Sequence, residues 1–305
     1  CQTTTAGDII HVTAGTYTET AVASLKAGVS LEGEGAATTV IKSSIAGDWS
    51  VLLVLESPAN TNGNQSISGI TFDGQYVSET SYKTWWGIHV SGRSNVTIRD
   101  CIVKNFYDRG VNFDGNTVWN PLVDPGNYAT GNKFYNNSLL NTARCTNNYG
   151  AGQLNIGGQN GMEIYGNTMR QDQRPNFTNG WPIKYWEHGW LKGVKNYNNG
   201  LIKALYRGTY PGEAGDWDFA IELFNISGLE IANNQIQGCI DLNYNYKGTY
   251  QYSTWIHHNT ITHSNPNYFE SGIILEFATQ SAIVEDNQFF NASSGVQFNT
   301  RGPGN

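Results

Sequence analysis

The sequence predicts an all-β protein built as a single-domain right-handed parallel β-helix, a solenoid with loops projecting from its coils. Short segments alternate apolar and polar residues with a period of two, which is typical of strands with one buried face. Turn-forming residues are abundant, with 35 Asn and 35 Gly among 305 residues. The strand segments recur at a spacing of roughly 25 to 36 residues, which lies in the range of solenoid repeats.

The opening coils carry the most specific pattern. Residues 7–43 contain short alternating strands that are separated by glycine turns, and Gly7 to Glu19 closely match the pattern GDTIxVxxGxYxE, with Ile9 in the Thr position. This stretch resembles the first coils of right-handed parallel β-helix proteins of the pectate-lyase-like superfamily. The resemblance implies the architecture that many carbohydrate-active enzymes and some adhesins share, and it leaves the activity open.

A two-part unit repeats along the remainder of the chain. Its first part is a strand with outward polar positions, and its second part is a hydrophobic-x-x-Asn-x-hydrophobic strand and bend. An Asn at a bend satisfies backbone groups and tolerates a left-handed φ, and stacked amides hydrogen-bond to one another. The repeat therefore predicts a column of Cys101, Asn137, Asn167, Asn199, Asn234, Asn259 and Asn287.

Domain organisation follows from the continuity of the strand pattern. Residues 1–305 are expected to form one parallel β-helix domain, although the first 59 residues lack Asn and a two-domain division is the alternative. Cys1 stands in mid-pattern and the last residues form no visible cap, so we expect a piece trimmed from a longer chain, with further domains of that precursor as partners. Cys101 and Cys239 lie in apolar strand patterns and are predicted to be buried thiols.

Composition excludes several function classes. The net charge of -7 argues against nucleic-acid binding, since such proteins usually carry a basic face. No apolar run is long enough to span a membrane. An extracellular or cell-surface location is expected, with a polysaccharide or oligosaccharide as the partner.

Three consecutive strand segments each carry one charged residue at an outward position: Lys184, Glu222 and Asp241. If the segments stack in register, these side chains lie side by side on an exposed face. Neighbouring parallel strands are about 4.8 Å apart, so the two carboxyls are expected to be roughly 5 Å apart. Like charges at that range raise the proton affinity of one carboxyl, which separates an acid from a base.

The carboxyl pair predicts a secreted or cell-surface glycoside hydrolase that acts on a polysaccharide. Glu222 and Asp241 are the predicted catalytic acids, and Asp218 and Glu276 are reserve acids. Carboxyl separations of about 5 to 5.5 Å suit a retaining enzyme and about 6.5 to 9.5 Å an inverting one, and side-chain rotamers leave the choice open. This hypothesis needs no cofactor.

Lys184 opens a second hypothesis, a polysaccharide lyase or epimerase in which it is the base that abstracts the proton α to a uronate carboxylate. Such an enzyme needs a group that neutralises this carboxylate. Arg207 and a Ca²⁺ ion held by Asn155, Glu222 and Asp241 are the candidates. The simpler alternative is that Lys184 is an ion-pair partner of Glu222.

A third hypothesis is a non-catalytic glycan-binding or adhesin module of a larger surface protein. Under each hypothesis the residues around the charged strands are expected to contact the glycan. Tryptophans concentrate there, and indole faces stack on sugar rings. The predicted substrate-binding residues are Asn155, Trp186, Arg207, Trp217, Asn243, Asp114 and His89.

Overall fold

The structure, a computed structural model, describes most of the chain. The described residues are 3–78, 81, 84–115, 126–143, 152–172, 181–184, 190–203, 219–242, 253–263, 271–276 and 282–299, with Glu276 and Asn299 described by their backbone. The regular secondary structure of these residues is entirely β-strand. None of them belongs to a helix of the length and apolar character that crossing a membrane requires.

The strands, in chain order, are β1 Ile9–Val12, β2 Gly15–Glu19, β3 Ala23–Ser24, β4 Ser30–Gly33, β5 Thr39–Ser43, β6 Gly47–Ser68, β7 Thr71–Asp73, β8 Thr84–Arg99, β9 Ile102–Lys104, β10 Arg109–Asp114, β11 Ala129–Thr130, β12 Lys133–Tyr135, β13 Ser138–Leu140, β14 Gly152–Gly157, β15 Gln159–Asn160, β16 Glu163–Tyr165, β17 Thr168–Arg170, β18 Trp181–Lys184, β19 Leu191–Lys192, β20 Lys195–Tyr197, β21 Gly200–Ile202, β22 Phe219–Leu223, β23 Ile226–Ser227, β24 Glu230–Ala232, β25 Gln235–Gln237, β26 Cys239–Leu242, β27 Trp255–His257, β28 Thr260–Thr262, β29 Ser271–Glu276, β30 Ile283–Glu285, β31 Gln288–Phe290 and β32 Ser294–Asn299.

The strands wind into a single-domain right-handed parallel β-helix, as predicted, and the structure shows that its sheets form three faces. The first face is formed by the early parts of β6 and β8, followed by β10, β14, β18, β22, β26, β29 and β32. The second face continues from the later parts of β6 and β8 through β12, β16, β20, β24, β27 and β30. The third face runs from β2 to β31, and the short strands β11, β15, β19 and β23 lie between the first two faces.

One hydrophobic core fills the solenoid along its described length. On β22, for example, Ile221 and Leu223 belong to this core, and Glu222 between them lies on the opposite side of the strand. Each parallel strand pairs with its equivalents in the coils before and after it, so the alternation of every strand is locked to that of its neighbours. Register on the first face therefore fixes which side chains form an outward column.

The predicted Asn column is confirmed as a ladder at the bend between the second and third faces. The Oδ1 atom of each Asn accepts the backbone N–H of the equivalent residue one coil earlier, at 2.9–3.0 Å from Cys101 through to Asn287. From Asn137 onward, each Nδ2 atom also donates to a backbone carbonyl of the previous coil, as Asn199 does to Ile164 at 2.9 Å. The ladder satisfies buried backbone groups that the bend removes from the sheets.

The left-handed φ expected of these Asn residues belongs instead to the residue before each of them. Asn136, Asn198 and Asn233 have φ between 55° and 57°, and His258 and Asp286 take the same conformation in later coils. The turn must be made at that position, because the ladder residue itself has to direct its amide inward. A left-handed conformation is easier for Asn than for most residues, which explains the Asn-Asn pairs at 136–137, 198–199 and 233–234.

Replacing Asn199 by Ala is expected to lower the free energy of unfolding by about 3 kcal/mol, because the backbone N–H of Asn167 and the carbonyl of Ile164 would both be left buried without their partner. The midpoint of urea denaturation would measure the loss. Gln235→Ala, at an exposed position of the next coil, is the control and should change stability by less than about 0.5 kcal/mol. Equal effects of the two substitutions would contradict a stabilising role for the ladder.

Cys101 and Cys239 are buried, as predicted. Cys101 begins the ladder, and burial raises the pKa of its thiol to about 12. The thiol is therefore protonated and unreactive at neutral pH.

Candidate active site on the first face

The first face brings the three predicted charged residues together in the predicted order. Lys184 on β18 pairs in register with Glu222 on β22, and Glu222 pairs with Asp241 on β26. The same column extends through Asn155, Asn112 and His89 in the earlier coils, and through Ile274 and Gln297 in the later ones. Adjacent members are separated by one strand spacing, about 4.8 Å.

The expectation that these side chains lie on an exposed face is wrong. Lys184 is 2% exposed, Glu222 3% and Asp241 1%, although all three lie outside the hydrophobic core. A second apolar cluster on their side of the sheet, formed by Trp181, Phe219 and Cys239, accounts for part of the cover. Period-two alternation shows which side of a strand a residue occupies, and it carries no information about what lies over that side.

Lys184 and Glu222 form a buried ion pair in which Nζ contacts Oε2. The same ammonium lies 3.6 Å from the centre of the Trp181 ring, which is a cation–π contact. A register shift between Phe219 and Ile221 places Ala220 in the core and Phe219 in the outer cluster. This bulge directs an apolar side chain toward the charged column and reduces the access of water to it.

The residues proposed for calcium fit an ammonium better than a metal ion. Lys184 stands between Asn155 and Glu222 in the column, and its ammonium already contacts the Glu222 carboxylate. Across the described ranges no group of three or more His, Cys, Asp or Glu side chains is arranged to hold a metal. Calcium binding by Asn155, Glu222 and Asp241 stays a prediction.

The other predicted residues divide into three groups. Asn155 and His89 lie in the charged column, and Asp114 lies two residues further along the first face, paired with Gly157 of the next coil. Glu276 ends β29 opposite Asn299, and its side chain is outside the described part. The remaining predictions fall outside the described residues: Trp186, Arg207, Trp217, Asp218 and Asn243.

Sequence reasoning missed a cationic and aromatic group at the N-terminal end of the same face. Arg109 begins β10, and its guanidinium carbon lies 4.5 Å from the centre of the Trp86 ring. Trp86 donates a hydrogen bond from Nε1 to Asp108 at 2.7 Å and makes an edge contact with His89. One signal was available, because Asp108 and Arg109 form a charged pair in a chain with only 14% charged residues.

Burial, and to a smaller extent the positive charge of Arg109, together lower the pKa of His89 from 6.5 to about 4. The imidazole is therefore neutral at pH 7. On the neighbouring strands the register partners of His89 are the uncharged residues Val54 and Asn112. Among the described residues, Arg109 is the charged group that acts on the imidazole.

Folding is consequently expected to weaken as the pH falls from about 6.5 to about 4, because the unfolded chain binds a proton at His89 before the folded chain does. The difference in pKa corresponds to at most about 3 kcal/mol. His89→Gln should remove this part of the pH dependence, and urea denaturation at several pH values would measure it. An unchanged slope between pH 6.5 and 4 in the variant would contradict the assignment.

Comparison with solved structures identifies the fold. An alginate lyase of family PL6 matches with a TM-score of 0.61 and 15% identity, over 97% of this chain and 38% of that one. The endo-xylogalacturonan hydrolase from Aspergillus tubingensis matches with a TM-score of 0.58 and 14% identity, over 94% of this chain and 87% of that one. The tailspike protein gp49 of Acinetobacter baumannii bacteriophage Fri1 is a capsular polysaccharide depolymerase. It matches with a TM-score of 0.53 and 14% identity, over 95% of this chain and 57% of that one.

No family model matches the chain, and no curated protein matches its sequence. The chain spans well under two thirds of the length of the alginate lyase and of the tailspike protein. At these identities the similarity concerns the fold. The chain has the parallel β-helix fold that these solved structures share.

Proposed function

We propose that this protein is a glycoside hydrolase that cleaves a polysaccharide with Glu222 and Asp241. The observation that carries the proposal is the register pairing of these two carboxyls on adjacent strands. The Lys184 ammonium contacts Glu222 from the preceding strand, on the side away from Asp241. The two carboxyls lie about one strand spacing apart, close enough for one to act as the acid and the other as the carboxylate. This is the pair of groups that glycoside hydrolysis requires.

The position of Lys184 assigns the roles. Its ammonium compensates the charge of Glu222, so Glu222 is the member that acts as a carboxylate. Asp241 is the proton donor: its proton passes to the glycosidic oxygen as the bond to the anomeric carbon breaks. Glu222 then acts as the nucleophile in a retaining reaction or as the base toward water in an inverting one. Substrate reaches these groups when the cover over the column moves, as lids do in many enzymes.

The same contact argues against Lys184 as the base of a lyase or epimerase. A base must direct a free amine at the substrate, whereas the Lys184 amine is already in contact with the Glu222 carboxylate. The polysaccharide lyase and the hydrolase among the similar structures support a carbohydrate substrate, because the fold is known to present such sites. They do not choose between the two reactions.

The test is a product assay on a panel of neutral and acidic polysaccharides. A hydrolase is expected to release reducing ends without a rise in ultraviolet absorbance. A rise from unsaturated uronate products would overturn the proposal in favour of the lyase. Glycan binding without any cleavage would overturn it in favour of a binding module that is extracellular or exposed at a cell surface.

A further inference from the structure

Arg109 is a partly buried cation whose acidic partner among the described residues is Asp108. Its side chain is 16% exposed, and Nε lies 3.5 Å from Asp108 Oδ2 in poor hydrogen-bond geometry. Among the described residues its guanidinium donates one hydrogen bond, a long one of 3.4 Å from Nη1 to Asn112 Oδ1. A guanidinium has five N–H donors, and Nε of Arg109 is buried without a hydrogen-bond acceptor among the described residues, which is costly. The pairing with Asp108 is long, so the guanidinium keeps donors for a second anion.

The groups around Arg109 are donors as well. Asn112 directs its carbonyl oxygen to Arg109, so its amide N–H groups are available to a ligand. His89, the register partner of Asn112, makes no hydrogen bond with another described side chain and carries one N–H when neutral. Three neighbouring side chains therefore present donors at one place on the first face. A carboxylate or sulfate accepts hydrogen bonds only, so it complements this set.

Trp49 supplies an exposed aromatic surface beside these donors. It is 61% exposed, and its ring centre lies 4.8 Å from that of Trp85 and 5.9 Å from that of Trp86. It occupies a register shift between Gly47 and Val51 and has a φ of 63°, which is unfavourable for so large a side chain. Backbone strain of this kind concentrates at binding sites. Here the bulge directs an indole outward, where it can stack on a sugar ring.

We infer that Arg109, Asn112 and His89, with the tryptophan surface of Trp49, form a subsite for an acidic sugar residue, whose carboxylate or sulfate Arg109 binds. The subsite lies on the same face as Lys184 and two coils before it, about 10 Å away by strand spacing. A glycan that lies along the first face would therefore contact the subsite and, once the cover over the column moves, the carboxyl pair as well. The inference deepens the proposed function by naming an acidic polysaccharide as the substrate class.

Binding rather than cleavage tests this inference, so its outcome is separate from that of the hydrolase proposal. Titration calorimetry on the 305-residue chain would compare three hexasaccharides: galacturonate, a sulfated galactan fragment and neutral cellohexaose. We expect at least one of the acidic probes to bind about tenfold or more tightly than the neutral probe, and the stronger of the two identifies carboxylate or sulfate. Arg109→Gln should remove this preference, because it deletes the charge-assisted hydrogen bonds.

Arg99→Gln is the matched control, since Arg99 lies on β8 in an exposed ion pair with Asp100, and it should leave the preference intact. Circular dichroism would check the fold of both variants. A measurement on the unmodified chain keeps the test valid if Arg109→Gln does not fold: the affinity for the acidic probe should fall at high salt, whereas that for cellohexaose should not. Equal affinities for acidic and neutral probes, or a preference that survives Arg109→Gln, would overturn the inference.

Discussion

Glu222→Gln and Asp241→Asn are each expected to lower the turnover of the cleaved polysaccharide about a thousandfold or more. Each substitution keeps the size of the side chain and removes either the carboxylate or the transferable proton that the reaction uses. Loss of one positioned acid or base typically costs about 10²- to 10⁴-fold in rate. Release of reducing ends at saturating substrate measures turnover directly.

The second face offers a matched control for this experiment. Lys195 and Glu230 are also paired in register on adjacent coils, with Nζ and Oε2 3.3 Å apart, but the Lys195 side chain is 56% exposed. Glu230→Gln should leave turnover unchanged, because this pair lies on another face of the solenoid. If Glu222→Gln and Asp241→Asn retain activity comparable to Glu230→Gln, the carboxyl pair is not the catalytic site.

The register of the site was predictable because the two-residue period of the strands and the longer period of the coils indicate the same alignment. The alternation within each strand placed Glu222 opposite Ile221 and Leu223, and the repeat of the coils aligned it with Lys184 and Asp241. A slip of one residue would have turned the charged side chains into the core, at a cost far larger than any gain. The Asn ladder was predictable for the same reason, since a buried amide has to recur wherever the bend recurs.

Burial of the column and the Arg109 subsite were not predictable from these periods. The cover over Lys184 depends on Trp181 and Phe219, which begin their strands, and Phe219 lies at a register shift. Trp49 likewise lies in a bulge, where the alternation rule fails. Irregularities of this kind are set by contacts between coils rather than by local pattern. The sequence therefore predicts the regular coils of the solenoid well. It predicts poorly the surface at positions where the strand pairing is irregular.

Lys184→Met is expected to lower the free energy of unfolding by about 3–5 kcal/mol. The substitution keeps the apolar stem of the side chain and removes the ammonium that contacts Glu222, so a carboxylate that is 3% exposed loses its opposite charge. The cation–π contact with Trp181 is lost as well. Lys195→Met, in the exposed pair of the second face, should cost no more than about 1 kcal/mol. Urea denaturation of both variants measures the contrast.

The double substitution Lys184→Met with Glu222→Leu separates a structural role of the pair from a catalytic one. Replacement of both members of a buried ion pair by apolar side chains of similar size is often neutral or stabilising, so the double variant should recover most of the stability that Lys184→Met loses. A pair retained for stability alone would then be dispensable, and turnover would survive with the fold. Under the proposed mechanism the double variant folds and is inactive, because it lacks the Glu222 carboxylate that the reaction uses. A stable and active double variant would show that Glu222 serves the solenoid and not the reaction.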